Sequence, residues 1–414
     1  MANLYAVTDL VAKESLRVAH EQLAFIGTVD RQYDETFQYQ ANRGKSGQTL
    51  RVKLPNQYTR RQGSRVMDVQ EQNESAQTIT VATQDGVDMR FNSQELIQSV
   101  SNEAAFDDLS KNYIVPAMSV LVSGIEADFL AMATKATYNV AGTAGSPINS
   151  LTAIGAARAK LNQGLAPKIM GERSVQMDSV TMASLVGGTA SYFAPVADVG
   201  ERFREGFVKR TGMADFYENE RVWTMTNGSD VTGTTDAAAL VTDGGNTVDM
   251  HTTIAVSAVN VGQVFTIAGV YACHPETKAS HGTLQQFTIT AIGSSTVTVS
   301  PSIYLTGPRK NVVNSTGGTL ATTDFNSQTL TFVGNASTSY VQSLMYHKEA
   351  FQFVTGDLPI LDDAQKCVIK KKDGLSVRVW MASDIRNDEL LMRLDILYGM
   401  AALRPAWACR MIGS

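Results

Sequence analysis

Residues 91–136, FNSQELIQSVSNEAAFDDLSKNYIVPAMSVLVSGIEADFLAMATKA, constrain the fold more than any other stretch of this sequence. Apolar residues return there at helical spacing: Leu96, Val100, Ala104, Leu109, Tyr113, Ala117, Val120, Leu121, Gly124 and Phe129. Asn92 or Ser93 is placed to cap the N-terminus, and Glu95 stands three residues after Asn92, as a capping box requires. About forty helical residues would run about 60 Å, whereas globular helices average about 11–12 residues. Pro116 is the one break, because its ring clashes with an earlier carbonyl. The stretch is a single kinked rod or two helices meeting at Pro116. With β-patterned segments on both sides, the expected class is α+β, organised around a spine.

The chain has 414 residues, enough for two or three domains with ample core. Its net charge is −5, with acids and bases nearly matched, which argues against a dedicated nucleic-acid binder with its strong basic excess. Three distant cysteines, Cys273, Cys367 and Cys409, make no disulfide framework and fit a reducing compartment. The N-terminus lacks a basic region followed by an apolar run, so no signal peptide is expected. No window of eighteen apolar residues occurs, so no membrane span is expected either.

Leu10 to Phe25 reads as a helix ending near Gly27. From Phe37 the period changes to two: Phe37 and Tyr39 alternate with Gln38 and Gln40, and Leu50, Val52 and Leu54 with Arg51 and Lys53. Alternation resumes at Ile79 and Val81, so residues 37–91 read as a two-stranded arm whose tip spans about Pro55 to Ser75. The tip sorts its charges: Arg60, Arg61 and Arg65 come first, then Asp68, Glu71 and Glu74. Such a ribbon is marginal in water by itself, so an arm of this kind rests on another molecule unless it is simply a solvated loop. Thr152 to Leu161 reads as a helix stopped at Gly164, Val175 to Met177 as a strand, and Ser179 to Val186 as a helix stopped by Gly187-Gly188.

Between Thr224 and Met345 the composition changes. Only nine of these 122 side chains are charged, six acidic and three basic, and threonine, glycine and valine dominate. Short alternating runs separated by glycine turns mark a small all-β barrel or sandwich inserted into the parent fold. Beyond it, Asp373-Gly374 predicts a tight hairpin turn, Met392, Leu394, Ile396 and Tyr398 alternate as a long strand, and Trp407, Cys409 and Met411 form a last one. These are expected to lie as antiparallel strands beside the spine.

No constellation for catalysis emerges. Gly44-Lys45-Ser46 lacks the earlier glycine and the strand-to-helix setting of a phosphate loop. Cys273, His274 and His281 lack the fourth ligand a structural zinc site wants, and His20, His251 and His347 are scattered. Asp107-Asp108 and Asp362-Asp363 read as solvated positions. No enzyme activity, cofactor or metal is expected.

The order of these parts resembles the phage major coat protein plan known as the HK-97 fold. GFVKRTGMADFYENERVW looks like the axial-domain segment of such coats, and LMYHKEAFQFVTGDLPIL, residues 344–361, resembles the phrase that re-enters the parent fold. LDILYGMAALRPAWACRMI is similar to the closing strands of the podovirus coat family typified by Salmonella phage P22, which also carries an inserted β-barrel. The resemblance implies an N-terminal arm (1–36), an E-loop hairpin (37–91), a spine helix of the peripheral domain (92–140), an axial domain (141–223), an inserted barrel (224–345), and a return to the axial domain and the long peripheral strands (346–414). It implies a major capsid protein, self-assembling into the pentamers and hexamers of an icosahedral head around double-stranded DNA. The implied partners are further copies of the chain, a scaffolding protein, a portal protein and packaged DNA in weak non-specific contact, with no membrane. Assembly would occur in the bacterial host cytoplasm and the product would be the virion. Arg60, Arg61, Arg65, Asp68 and Glu71 of the hairpin are the expected inter-subunit contacts. Asp243 and Asp249 join them, in a loop from Asp230 to Met250 matched to one that meets neighbours across local two-folds. A nanocompartment shell of the same fold is the rival reading; a surface adhesin built on the β domain and an undetected hydrolase are further ones.

Overall fold

The structure, a computed structural model, describes residues 11–19, 23–31, 49–61, 63, 65–67, 69–70, 75–92, 110–169, 171–189, 214–236, 241–250, 256–360, 366–372 and 375–413. The alternation at Phe37 and Tyr39, the Gly44-Lys45-Ser46 stretch, and Asp68 and Glu71 lie outside the described residues.

Residues 11–19 form α1, followed by α2 (Phe25–Thr28). The hairpin strands are β1 (Thr49–Leu54) and β2 (Ser75–Thr80), and β3 (Thr83–Asn92) follows. The spine helix α3 (Val115–Ala136) is entered through a π-helical turn, Ser110–Ile114. Pro116 thus stands in the first α-helical turn, where its missing N–H costs least, and the wider turn before it makes room for the ring. Asn92, an expected N-cap, is instead the last residue of β3 and pairs with Glu389. By length and composition the helix from Asn112 to Ala136 is apolar enough to cross a membrane, contrary to the expectation from sequence. It is, however, a core helix, with Met118, Val122, Ile125 and Phe129 buried on one face and the carboxylate of Glu126 buried among them.

Next come β4 (Val140–Ala141), α4 (Leu151–Gln163), β5 (Arg173–Met177), α5 (Ser179–Thr189), β6 (Asp215–Glu218) and β7 (Thr224–Thr226). The inserted strands are β8 (Thr232–Thr234), β9 (Gly245–Asp249), β10 (Val264–Cys273), β11 (Ser280–Ile292), β12 (Thr296–Ile303), β13 (Val312–Val313) and β14 (Thr329–Phe332). The chain closes with β15 (Ser339–His347), β16 (Phe351–Gly356), β17 (Lys366–Lys372), β18 (Leu375–Asp384), β19 (Glu389–Ala402) and β20 (Ala408–Ile412).

Two compact units divide the chain. The first comprises residues 1–52, 77–129 and 351–401. Its sheet has the order β16-β19-β18-β17, with β3 pairing β19 over ten residues from Tyr398↔Thr83 to Glu389↔Asn92. β17 and β18 pair antiparallel in register up to Lys372↔Leu375, while the predicted turn at Asp373-Gly374 lies outside the described residues. Met392, Leu394, Ile396 and Tyr398 are buried on the inner face of β19. Phe25 packs there against Phe129 at 4.7 Å and Phe351 at 6.1 Å between centroids, and its N–H donates to Glu126 Oε1. Val11, Leu16, Val18, Leu23, Phe25 and Ile26 are buried as well. On the outer face Asp395 accepts from Arg378 (3.2 and 2.6 Å) and Arg393 (3.0 and 2.8 Å). Gly86 lies across from Asp395 on β3, and a Cβ there would sit 2.6 Å from Oδ1.

The second unit comprises residues 53–76, 130–350 and 402–414. Its sheet runs β4-β20-β15-β5-β6, with β7 also pairing β15. The helices α4 and α5 cover one face through Ile154, Leu161, Met182 and Leu185, against Val175, Met177, Met345 and Met411. The last strand thus pairs in this sheet and not with the other long C-terminal strands. Both of its faces are buried, so alternation could not reveal which sheet it would join. The inserted strands run β8-β14-β10-β11-β12-β9, and the bridge Thr235↔Met250 joins the two ends into a closed barrel. Closure removes exposed sheet edges. It also explains the scarcity of charge, since the interior is filled by Phe265, Phe287, Ile289, Val297, Phe325, Leu330 and Phe332. The residues at the ends of the inserted stretch are not barrel: 224–226 pair with 339–341, and 342–345 pair with β20 in the parent sheet.

Candidate assembly surfaces

The hairpin is firm at its base and apolar at its tip. β1 and β2 make a two-stranded sheet, and Leu50, Val52, Ile79 and Val81 at the base are buried. The tip is tied to itself: Gln70 Nε2 donates to the carbonyl of Thr59 (2.7 Å) and Gln70 Oε1 accepts from its N–H (2.9 Å). Arg61 donates to the carbonyl of Val66. Arg60, Arg61 and Arg65 are all exposed. So are Tyr58 (57 %), Val66 (76 %), Met67 (76 %) and Val69 (79 %), a density of solvated apolar side chains that a monomer does not otherwise retain. Attention to sorted charge at the sequence level picked out the arginines and passed over these four apolar neighbours.

The stretch from Asp230 to Met250 is not one loop, because it contains β8 and β9. Asp243 is committed within the barrel: Oδ1 accepts from the N–H of Leu305 (2.8 Å) and Oδ2 from the hydroxyl of Thr306. Burial pushes its pKa up, but the hydrogen bonds from Thr306 and the amides of Leu305, Thr306 and Gly244 outweigh that and hold the carboxyl below its usual range. Asp249 is half-buried and pairs with Thr296 in the barrel wall. Asp243 thus fixes the turn after β12 from an exposed position.

The barrel is joined to the parent sheet by polar groups that the sequence did not single out. Arg410 of β20 is fully buried. Its guanidinium donates to the carbonyls of Thr137 (2.7 Å), Lys135 (3.1 Å) and Gly262 (2.6 Å) and to the Thr288 hydroxyl (2.9 Å). Lys135 and Thr137 stand at the C-terminus of α3, where unpaired carbonyls and the negative dipole end favour a cation. Burial pulls the Arg410 pKa down to about 9, still high enough to keep the charge at neutral pH. Beside it, Gln286 of the barrel forms a two-bond pair with the backbone of Val140 (2.9 and 3.1 Å), and Lys135 lies over the Trp223 ring at 5.2 Å.

A second node ties β15 to the segment before β5. The His347 side chain is buried; its Nδ1 accepts from the Glu349 N–H (3.3 Å), so Nε2 carries the proton toward Glu172 (3.1 Å). Lys348 also bonds Glu172 (2.6 Å), Arg404 bonds Glu349 (2.7 Å), and the Arg404 guanidinium lies 4.2 Å over Trp407. His274 and His281 come together at 5.5 Å, but the described residues hold no group of three metal-ligating side chains.

Comparison with known proteins places these features. Residues 211–413, about half of the chain, match the family described as P22 coat protein, gene protein 5. Among solved structures, one from Mycobacterium phage Che8 superposes with a TM-score of 0.50 at 10 % identity, covering 94 % of this chain and 91 % of that one. The capsid of Ralstonia phage GP4 matches at 8 % identity and TM-score 0.43 over 89 % of this chain and 84 % of that one. The capsid of Myoviridae phage XM1 matches at 9 % and 0.42 over 95 % and 92 %. No curated protein matches the sequence.

Proposed function

From the premise that this chain is a tailed-phage major capsid protein with an HK-97-like fold, residues 211–413 belonging to the P22 coat protein family, we propose how its copies close a shell. The subunits form pentamers and hexamers of an icosahedral head around double-stranded DNA, and the hairpin tip of each is completed by a neighbour. The observation that carries this reading is the tip itself, where Tyr58, Val66, Met67 and Val69 are exposed on a ribbon too slight to justify them in isolation. Arg60, Arg61 and Arg65 surround these residues and steer the docking, each exposed pair contributing only about 0–1 kcal/mol. The work is binding, not catalysis. The barrel braces the subunit through the Arg410 bonds to Gly262 and Thr288 and the Gln286–Val140 pair. A scaffolding protein, a portal and loosely held DNA are the further partners, with assembly in the host cytoplasm. The family match speaks against the nanocompartment reading.

The test is to express the wild type and a variant with Tyr58, Val66, Met67 and Val69 all changed to serine, each with and without the scaffold gene, and to examine the products by negative-stain microscopy. The wild type should form shells, and the variant should stay as folded, unassembled subunits. Shells of normal yield from the variant would remove the tip from the mechanism. Joining Thr226 to Ser339 by a short turn, in place of the barrel, should lower subunit solubility and stability; an unchanged subunit would deny the bracing role.

A further inference from the structure

We infer that the short loop after α4, with Leu165 at its crest, is a preformed apolar contact for a second copy of this chain; the inference rests on the shell reading above. Leu165 has φ +59°, the left-handed region that disfavours a residue with a Cβ. The helix ends there in a Schellman arrangement, with the Ala166 N–H bonding the Leu161 carbonyl (3.0 Å) and the Leu165 N–H bonding that of Asn162 (3.1 Å). The left-handed position of this motif usually takes glycine. Here the glycine stands one residue earlier, at Gly164, because a Cβ at that point would lie 2.4 Å from the Ala406 carbonyl. Leucine is left in the strained place with its side chain 38 % exposed. Ile169, four residues on, is 57 % exposed.

The loop is also held still. The buried Arg173 donates to the carbonyls of Ala166 (2.9 Å) and Pro167 (3.0 Å) and to Asn162 Oδ1 (2.9 Å). Trp407 Nε1 donates to the carbonyl of Gly164 (2.9 Å). A leucine kept in strain, on a clamped backbone and partly in water, is the pattern of a site whose reward comes from a partner. Because the chain assembles with copies of itself, that partner is a second subunit. The experiment compares wild type, Leu165→Gly and Leu165→Ala by thermal melting of unassembled subunits and by light scattering across a concentration series. Leu165→Gly relieves the strain, so its Tm should equal or exceed the wild-type value. Both variants should raise the critical concentration for assembly about tenfold, the scale of one lost apolar anchor. A Leu165→Gly subunit that melts well below wild type would overturn the inference, since leucine would then be serving the fold. Variants that assemble as readily as a shell-forming wild type would overturn it alone, and a wild type that forms no shells would overturn the shell reading with it.

Discussion

Arg378 and Arg410 are both buried, one in each unit, yet their charges are accommodated in different ways. Arg378 faces a carboxylate: Asp395 accepts two of its N–H groups, and the carbonyl of Pro359 takes a third at 3.1 Å. Arg410 is held by three backbone carbonyls and a hydroxyl, two of the carbonyls belonging to the end of α3. The first arrangement cancels charge between two side chains on adjacent strands, at Arg378↔Asp395. The second satisfies backbone groups that would otherwise be orphaned, and it does so across the joint between barrel and sheet. An ion pair can be exchanged as a unit for apolar side chains, whereas backbone carbonyls cannot be mutated away.

The largest effect should therefore follow from breaking the pair on one side only. Asp395→Ala leaves Arg378 buried without its counter-charge and should cost about 3–5 kcal/mol. Denaturant unfolding of the unassembled subunit measures this. The double replacement Arg378→Met with Asp395→Leu should recover most of the loss, because neither buried charge then remains. A double variant as unstable as the single one would show that the pair is not what holds this part of the sheet.

Arg410→Met comes second. It leaves one or two carbonyls unsatisfied, at about 1–3 kcal/mol each, and no companion substitution can restore them. Unfolding should show that loss, and limited proteolysis should cut the connections of the barrel, near residues 224–231 and 333–339, sooner than in wild type. If stability and cleavage are both unchanged, the Arg410 joint has no mechanical role and the contrast between the two arginines fails.

The same contrast shows what could be read from the sequence. The pairing of β17 with β18 and the alternation through Tyr398 were legible because each is written in neighbouring residues, and the barrel because closure starves a long stretch of charge. β3 was overlooked although Val87, Met89 and Phe91 alternate. Its other face bears Asp88 and Arg90, the stretch was absorbed into the two-stranded arm of residues 37–91, and its partner β19 lies some three hundred positions away. Arg410 was not singled out when Trp407, Cys409 and Met411 were read as a last strand. Its partners at Lys135, Thr137, Gly262 and Thr288 are 122 to 275 residues distant, and nothing local announces them. His347 looked like one of several scattered histidines for the same reason.

His347 gives the smallest predicted effect and extends the comparison to a charge that is kept off altogether. Burial lowers its pKa, and the opposing pull of Glu172 is not enough to restore it. The folded state therefore binds the proton less readily than the unfolded chain. The stability tied to the neutral ring is fully present above the usual histidine value of about 6.5 and is lost as pH falls through the lower folded-state value. Glu172, whose pKa is lowered first by its hydrogen bond from Lys348, acts in the same direction at more acid pH. Between pH 7 and pH 5 the wild-type subunit should lose stability more steeply than His347→Gln, which keeps a polar side chain but cannot titrate. Thermal melts across that range measure the difference, and parallel curves would mean that the His347–Glu172 contact holds the ring equally well with either charge.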